Sequence, residues 1–179
     1  MTTHRHDPEP HREPHREPDH VGRILEQWAR ERPDLDVSPM AVIGRVHRVG
    51  EALHARLRPV FAAAGLSDGD FDVLAALRRA GRPYELGPGA LASSTMVTSG
   101  AVTKRVDRLE RAGLVRRRVA DEDARARVVA LSPSGVDLVD RVLEQHVANE
   151  HRLVAALTSQ ERDTLAGLLA RWAQALEGP

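Results

Sequence analysis

The stretch from Leu66 to Gly135 constrains the fold more than any other, because several short helical patterns follow one another there between tight breaks. Ser67 is well placed to cap a helix that Gly81 and Pro83 end. Another short helical pattern begins near Pro88. Helices this short, separated by breaks this tight, are typical of a small three-helix head.

The second half of this stretch changes from a helical to an alternating pattern. A helix is predicted from Thr98 to about Ala112, with Gly113 as its C-cap. Alternating residues then run from Leu114 to Val119 and, after a polar tip, from Arg127 to Leu131, which predicts two paired strands. A helix-turn-helix followed by a two-stranded wing is therefore expected, a winged helix-turn-helix.

Helical patterns flank this head on both sides. They run from Val21 to Arg30, from behind Ser38-Pro39 to near Gly65, and onward from Ser132-Pro133 and from Thr158-Ser159. Their apolar stripes are longer than the small head can cover, so we expect them to form the interface of a homodimer. A monomer that folds these helices back on itself is the alternative.

The expected fold class is mainly α with a small β wing. Residues 1–20 are predicted to be a disordered tail, 21–65 N-terminal helices for a ligand pocket and dimerisation, 66–135 the winged head, and 136–179 C-terminal dimerisation helices. The tail is rich in histidine, but its proline-broken chain offers a metal no fixed geometry, so no metal site is expected.

Charge is distributed unevenly along a chain whose formal net charge is zero. Nine basic and five acidic residues lie between Thr98 and Arg127, a local excess of four positive charges of the kind that phosphate contact requires. The sequence has no cysteine, no secretion signal and no long apolar run, so a cytoplasmic, nucleoid-associated protein without a membrane segment is expected.

The helix from Thr98 to Ala112 is the expected DNA-reading element. Val102, Val106 and Leu109 share one face and should pack inward, while small and basic residues on the other faces suit a major groove. Asp107, on the outer face, would accept from cytosine or repel wrong sites. With the wing arginines, the candidate DNA contacts are Thr98, Ser99, Gly100, Ala101, Thr103, Lys104, Arg108, Arg111, Arg125 and Arg127.

Several motifs across this region resemble the MarR family of transcriptional regulators in order and spacing. The matching residues are Thr103, Asp107-Arg108-Leu109-Glu110, Gly113-Leu114-Val115, Asp123-x-Arg125, Val129-x-Leu131-Ser132 and Gly135. The resemblance implies that Asp123 braces the recognition helix and that Arg125 touches DNA. Ala124 stands where the family often has another arginine, which should weaken backbone contact without changing the binding mode.

A second set of residues resembles the urate-responsive branch of that family, which includes PecS and HucR. The set is the stretch from Gln27-Trp28 to Ser38-Pro39-Met40 together with Phe71-Asp72-Val73-Leu74. The resemblance implies a ligand pocket formed by Trp28, Asp72, Arg105 and Arg117. It also implies a repressor that urate or a related purine anion releases from a pseudo-palindromic operator in double-stranded DNA.

Arg105 and Trp28 also have plain structural interpretations. Arg105 lies at the border of the buried helix face, so it should have an internal partner, which is Asp123, Asp72 or a bound anion. Trp28 on a short amphipathic helix is more often a packing anchor than a ligand contact.

Two other functions stay open. The two arginines would also suit a tricarboxylate or an aromatic carboxylate effector, and the neutral net charge keeps a winged-helix protein-interaction module in view. Neither a catalytic residue nor a cofactor is expected, since the sequence shows no nucleophile–base pair, no phosphate loop and no histidine pair of the zinc-binding kind on a predicted helix. His47 and His54, and His146 and His151, are not spaced at i, i+4.

Overall fold

The computed structural model describes residues 17–96, 99–119 and 127–178. Within these ranges the helices are α1 (His20–Glu31), α2 (Met40–Ala63), α3 (Asp68–Arg79), α4 (Pro88–Ser93), α5 (Ser99–Arg111), α6 (Pro133–Leu153) and α7 (Ser159–Glu177). The strands are β1 (Glu85–Leu86), β2 (Val115–Val119) and β3 (Arg127–Leu131). The mainly α class with a small β wing is confirmed.

The chain divides into two compact units, Met1–Glu51 and Ala52–Pro179. In the first, Asp19 caps α1 by accepting from the Gly22 N–H and forms an ion pair with Arg45 of α2, 2.8 Å from carboxylate oxygen to guanidinium nitrogen. Residues 1–16 of the predicted tail lie outside the described residues. Helix α1 begins at His20, the last residue of that predicted tail. The predicted functional boundaries at residues 20, 65 and 135 stay predictions.

Helix α3 is the centre of the second unit. Ser67 caps it through a capping box with Asp70, as the Ser67 pattern predicts for the start of a helix. Val73, Leu74 and Leu77 are completely buried. They belong to a core that buried residues of α5, α6 and the sheet complete, so these elements pack together around α3.

The sheet has three strands in the order β1–β3–β2, both pairs antiparallel. The predicted pairing of the two wing strands, β2 and β3, is confirmed. The sequence did not predict β1, in which Glu85 and Leu86 add a short edge strand opposite Ala130 and Val129. A strand of two residues has no detectable alternation, and it forms only because the fold brings it beside β3.

The turn after α5 is tightly packed. Gly113 has a φ of +72°, as its predicted C-cap role requires, and the Ser132 hydroxyl donates to its carbonyl oxygen. Gly135 then passes so close to this turn that a Cβ placed on it would lie 2.0 Å from the Leu114 carbonyl oxygen.

The long helices expose much of their apolar surface. In α2, Val42, Ile43, Val46, Val49 and Leu53 are exposed, and in α6 and α7 so are Leu143, Val147, Leu165, Leu168, Leu169 and Leu176. No helix in the described part of the chain is long and apolar enough to cross a membrane.

We expect Gly135→Ala to destabilise the protein by about 1–3 kcal/mol, because the added methyl group meets a backbone oxygen that cannot rotate away. Gly89→Ala in α4 is the matched control, since a Cβ there meets nothing within 4 Å. Urea unfolding of both variants measures the difference. Equal midpoints for Gly135→Ala and the wild type would contradict the packing described here.

Candidate DNA-binding and effector-responsive site

Helix α5 buries one face and exposes the other. Val102, Val106 and Leu109 are buried, which confirms the predicted inward face. Gly100, Thr103, Lys104 and Arg111 are exposed, and Ala101 is half-buried. For Ser99 the structure describes only the backbone, and Thr98 lies outside the described residues.

Arg105 leaves this outer face and turns towards the start of α3. Its Nη1 donates to Ser67 Oγ at 2.8 Å and lies 3.8 Å from Asp70 Oδ1. Gly69 makes room for it, because a Cβ there would come within 2.4 Å of the guanidinium. The prediction of an internal partner for Arg105 is confirmed.

Arg108 reaches the same region from one turn further along α5. Its Nη1 lies 3.1 Å from Asp70 Oδ2, and its Nη2 donates to the Gly65 carbonyl oxygen at 3.0 Å. The side chain remains about half exposed. Through these two contacts, Arg108 connects α5 to the beginning of α3.

Asp72 does not partner Arg105, and that alternative is wrong. Its Oδ2 accepts instead from the backbone N–H of Met96 at 2.6 Å. Helix geometry explains this difference. Each successive residue rotates the side-chain direction by about 100° around the helix axis, so Asp70 and Asp72, which are two residues apart, project from α3 in different directions. Asp72 therefore fixes the turn that leads into α5.

Arg117 of β2 ties the wing to α5. Its guanidinium pairs with Asp107 and with Glu110, and its backbone N–H donates to Glu110 Oε1 at 2.9 Å. The backbone hydrogen bond, with the guanidinium beside it, lowers the pKa of Glu110, and the two carboxylates raise the pKa of Arg117. Asp107, expected to face the groove, is thus engaged within the protein.

The other predicted site residues are placed as follows. Asp123 and Arg125 of the wing tip lie outside the described residues, and Arg127 is exposed at the start of β3. Trp28 lies on α1 in the first unit, with 42% of its surface exposed. Asp72, Arg105 and Arg117 lie on adjoining elements, but each contacts different partners.

Asp70 is the site residue that the sequence reasoning missed. Its spacing three residues after Ser67 is that of a capping box and was the available signal. A helix cap, however, gives no reason to expect two arginines from another helix. Among the described residues, no cluster of three or more metal-ligating side chains occurs.

Comparison with known proteins assigns the family. A model described as MarR family matches residues 64–126. The transcriptional regulator PecS of Dickeya dadantii is 41% identical over 151 residues, which cover 84% of this chain and 91% of that protein. The chain belongs to the MarR family. It is a transcriptional regulator and not an enzyme, as the sequence led us to expect.

Solved MarR-family structures have the same fold as this regulator. One is a MarR regulator of Streptomyces coelicolor in complex with DNA, with a TM-score of 0.72 and 24% identity over 79% of this chain and 93% of that one. Another is an organohalide-sensing regulator with bound 2,4-dichlorophenol, with a TM-score of 0.69 and 20% identity over 81% of this chain and 84% of that one.

Proposed function

We propose that this MarR-family regulator is a cytoplasmic homodimer that represses transcription from a pseudo-palindromic operator and releases it when urate or a related purine anion binds. The observation that carries the proposal is the arrangement of α5. One face of this helix is exposed and basic, while its flanks are held by ion pairs with which an anion would compete.

The exposed face of α5 is suited to a major groove. Small residues at its N-terminal end permit close approach, and Lys104 and Arg111 can donate to guanine or to phosphate oxygens. Arg127 extends the basic surface onto the wing. Thr98, Ser99, Thr103, Arg108 and Arg125 complete the proposed DNA contacts, and the solved complex of a MarR relative with DNA supports this mode of binding.

The exposed apolar residues of α6 and α7 support the homodimer. Large aliphatic side chains in a row on a helix are seldom left in water, and a second copy of the same chain covers such a face by two-fold symmetry. Two recognition helices related in this way would enter successive major grooves about one helical turn of DNA apart.

The contacts around α5 suggest how an anion would act. Arg105 and Arg117 are held by carboxylates, so an anionic ligand that engages them replaces internal partners of the recognition helix and of the wing. A ligand that disturbs Asp72 also loosens the turn at Met96 before α5. The resemblance adds Trp28 as a further ligand contact.

Release requires that the effector bind the DNA-free form more tightly than the DNA-bound form. The ratio of those two affinities equals the factor by which the effector weakens operator binding. A coupling of about 1–3 kcal/mol is typical and corresponds to roughly 5–150-fold.

DNA contact by Lys104 is directly measurable, because it is the single lysine of the sequence. We expect duplex DNA to protect its amine from acetylation, and Lys104→Ala to weaken operator binding with a shallower salt dependence. Arg171→Ala, an exposed arginine on α7, is the matched control. Unprotected Lys104, or binding to no duplex at any salt concentration, would support the protein-interaction module instead.

The dimer is tested by placing a charge on the apolar face of α7. We expect Leu168→Asp to convert the dimer to monomer in sedimentation equilibrium, because the buried carboxylate would have no partner. Gln174→Asp adds the same charge on the opposite face of the helix and should leave the dimer intact. A wild-type monomer at micromolar concentration would reject the proposed interface.

The effector is tested by titrating the protein–operator complex with urate. We expect urate to weaken wild-type binding, and Arg105→Ala and Trp28→Ala to reduce the ratio of operator affinities without and with urate. Comparing ratios removes any direct effect of the substitution on DNA binding. If urate leaves wild-type binding unchanged, the urate assignment is wrong.

A tricarboxylate or aromatic carboxylate effector is the alternative that two arginines also allow. Trp28 fluorescence, measured in a Trp172→Phe background because the chain has two tryptophans, discriminates between urate and aconitate as ligands. Footprinting of the DNA upstream of the gene would then identify the operator.

A further inference from the structure

Asp70 carries a negative charge inside the second unit. Its surface is 1% exposed, and it is the one charged residue classed as buried in the part of the chain that the structure describes. An ionised carboxylate removed from water needs a compensating charge and hydrogen bonds. The partners of the Asp70 carboxylate therefore indicate its role.

One oxygen of Asp70 is sufficient for the helix cap. Oδ2 accepts from the Ser67 N–H at 2.8 Å and from the Ser67 hydroxyl at 2.5 Å. A capping box needs no more than this from the side chain at the third helical position. The burial of Asp70 and its two arginine neighbours are thus additional to its role in α3.

The arginines come from a single helix, α5, and from two successive turns of it. Arg108 Nη1 lies 3.1 Å from Oδ2, and Arg105 Nη1 lies 3.8 Å from Oδ1 and donates to the hydroxyl of Ser67. Residues three apart on a helix point the same way, so one carboxylate contacts α5 at two points along its axis. Contacts at two turns restrict the rotation and the axial position of the helix more than a single contact would.

The fit is close on the α3 side as well. Gly69 lets the Arg105 guanidinium lie against the first turn of α3, where any side chain would meet its Cζ and Nε at 2.4 Å. Arg105 Nε is buried there without a hydrogen-bond partner among the described residues. The guanidinium therefore lies against α3, where its Nη1 is hydrogen-bonded to Ser67 and its Nε is buried.

We propose that Asp70 is a positioning residue for the recognition helix: through Arg105 and Arg108 it sets the angle at which Lys104 and the rest of the outer face of α5 meet DNA. This inference rests on the proposed DNA-binding function. Base edges must be met at fixed positions in both half-sites at once, whereas phosphate contacts supply affinity that does not depend on sequence. Loss of Asp70 should therefore reduce discrimination more than general DNA affinity.

The test compares Asp70→Asn with Asp68→Asn. Both remove one negative charge from the first turn of α3, but the ion pair of Asp68 is with His54, 3.1 Å away, and that of Asp70 is with arginines of α5. We expect Asp70→Asn to lower the ratio of operator affinity to non-specific duplex affinity on the order of ten-fold, and Asp68→Asn to leave that ratio unchanged. Both ratios are measured by fluorescence anisotropy at one salt concentration.

Gly69→Ala tests the same contact with every charge retained. Its methyl group displaces the Arg105 guanidinium, while alanine favours the helix by up to about 1 kcal/mol over glycine. We expect a lower operator-to-non-specific ratio together with an unchanged or higher melting temperature. That combination separates positioning from loss of folded protein, which lowers both affinities equally.

The outcomes distinguish this inference from the proposed function. If the wild-type protein binds no duplex, the proposed function fails first. If the wild type binds its operator selectively but Asp70→Asn and Gly69→Ala both keep the wild-type ratio, or lower both affinities in equal proportion, Asp70 is only a structural cap and the inference is overturned.

Discussion

The burial of α3 is the constraint on which the rest of the second unit depends. Val73, Leu74 and Leu77 are completely inaccessible to water because α5, α6 and the sheet pack around them. Close-packed interiors transmit small displacements, since they have no free volume in which to absorb them. A helix this enclosed serves as the fixed reference against which α5 and the wing are positioned.

Apolar packing alone does not determine the orientation of α5. Its buried stripe of Val102, Val106 and Leu109 gives the helix an inward side, but aliphatic contacts are non-directional. The directional contacts are polar: Asp72 at the turn before the helix, Asp70 on two of its arginines, and Arg117 on two of its acids. These contacts connect α3, α5 and β2. In the function proposed here, the anionic effector acts on these contacts, so that sensing and DNA reading use the same residues.

The apolar side chains that remain exposed on α6 and α7 have a different consequence. These exposed side chains are not part of the buried core of the winged helix, so that core does not depend on them. The helix pattern was predictable from residues three and four apart, because that spacing is a property of the sequence alone. The sequence pattern does not specify what covers the resulting face, and we propose that a second copy of the chain does so.

The sequence by itself determined the elements with strong local signals: the Ser67 and Thr158 caps, the Gly113 turn, the inward face of α5, and the family to which its motifs belong. It did not determine β1 or the assignment of acids to arginines. Asp70 and Arg105 are 35 residues apart, and whether Asp70 or Asp72 meets Arg105 depends on how α3 crosses α5. That crossing is set by side-chain packing between the two helices, which only the tertiary structure decides.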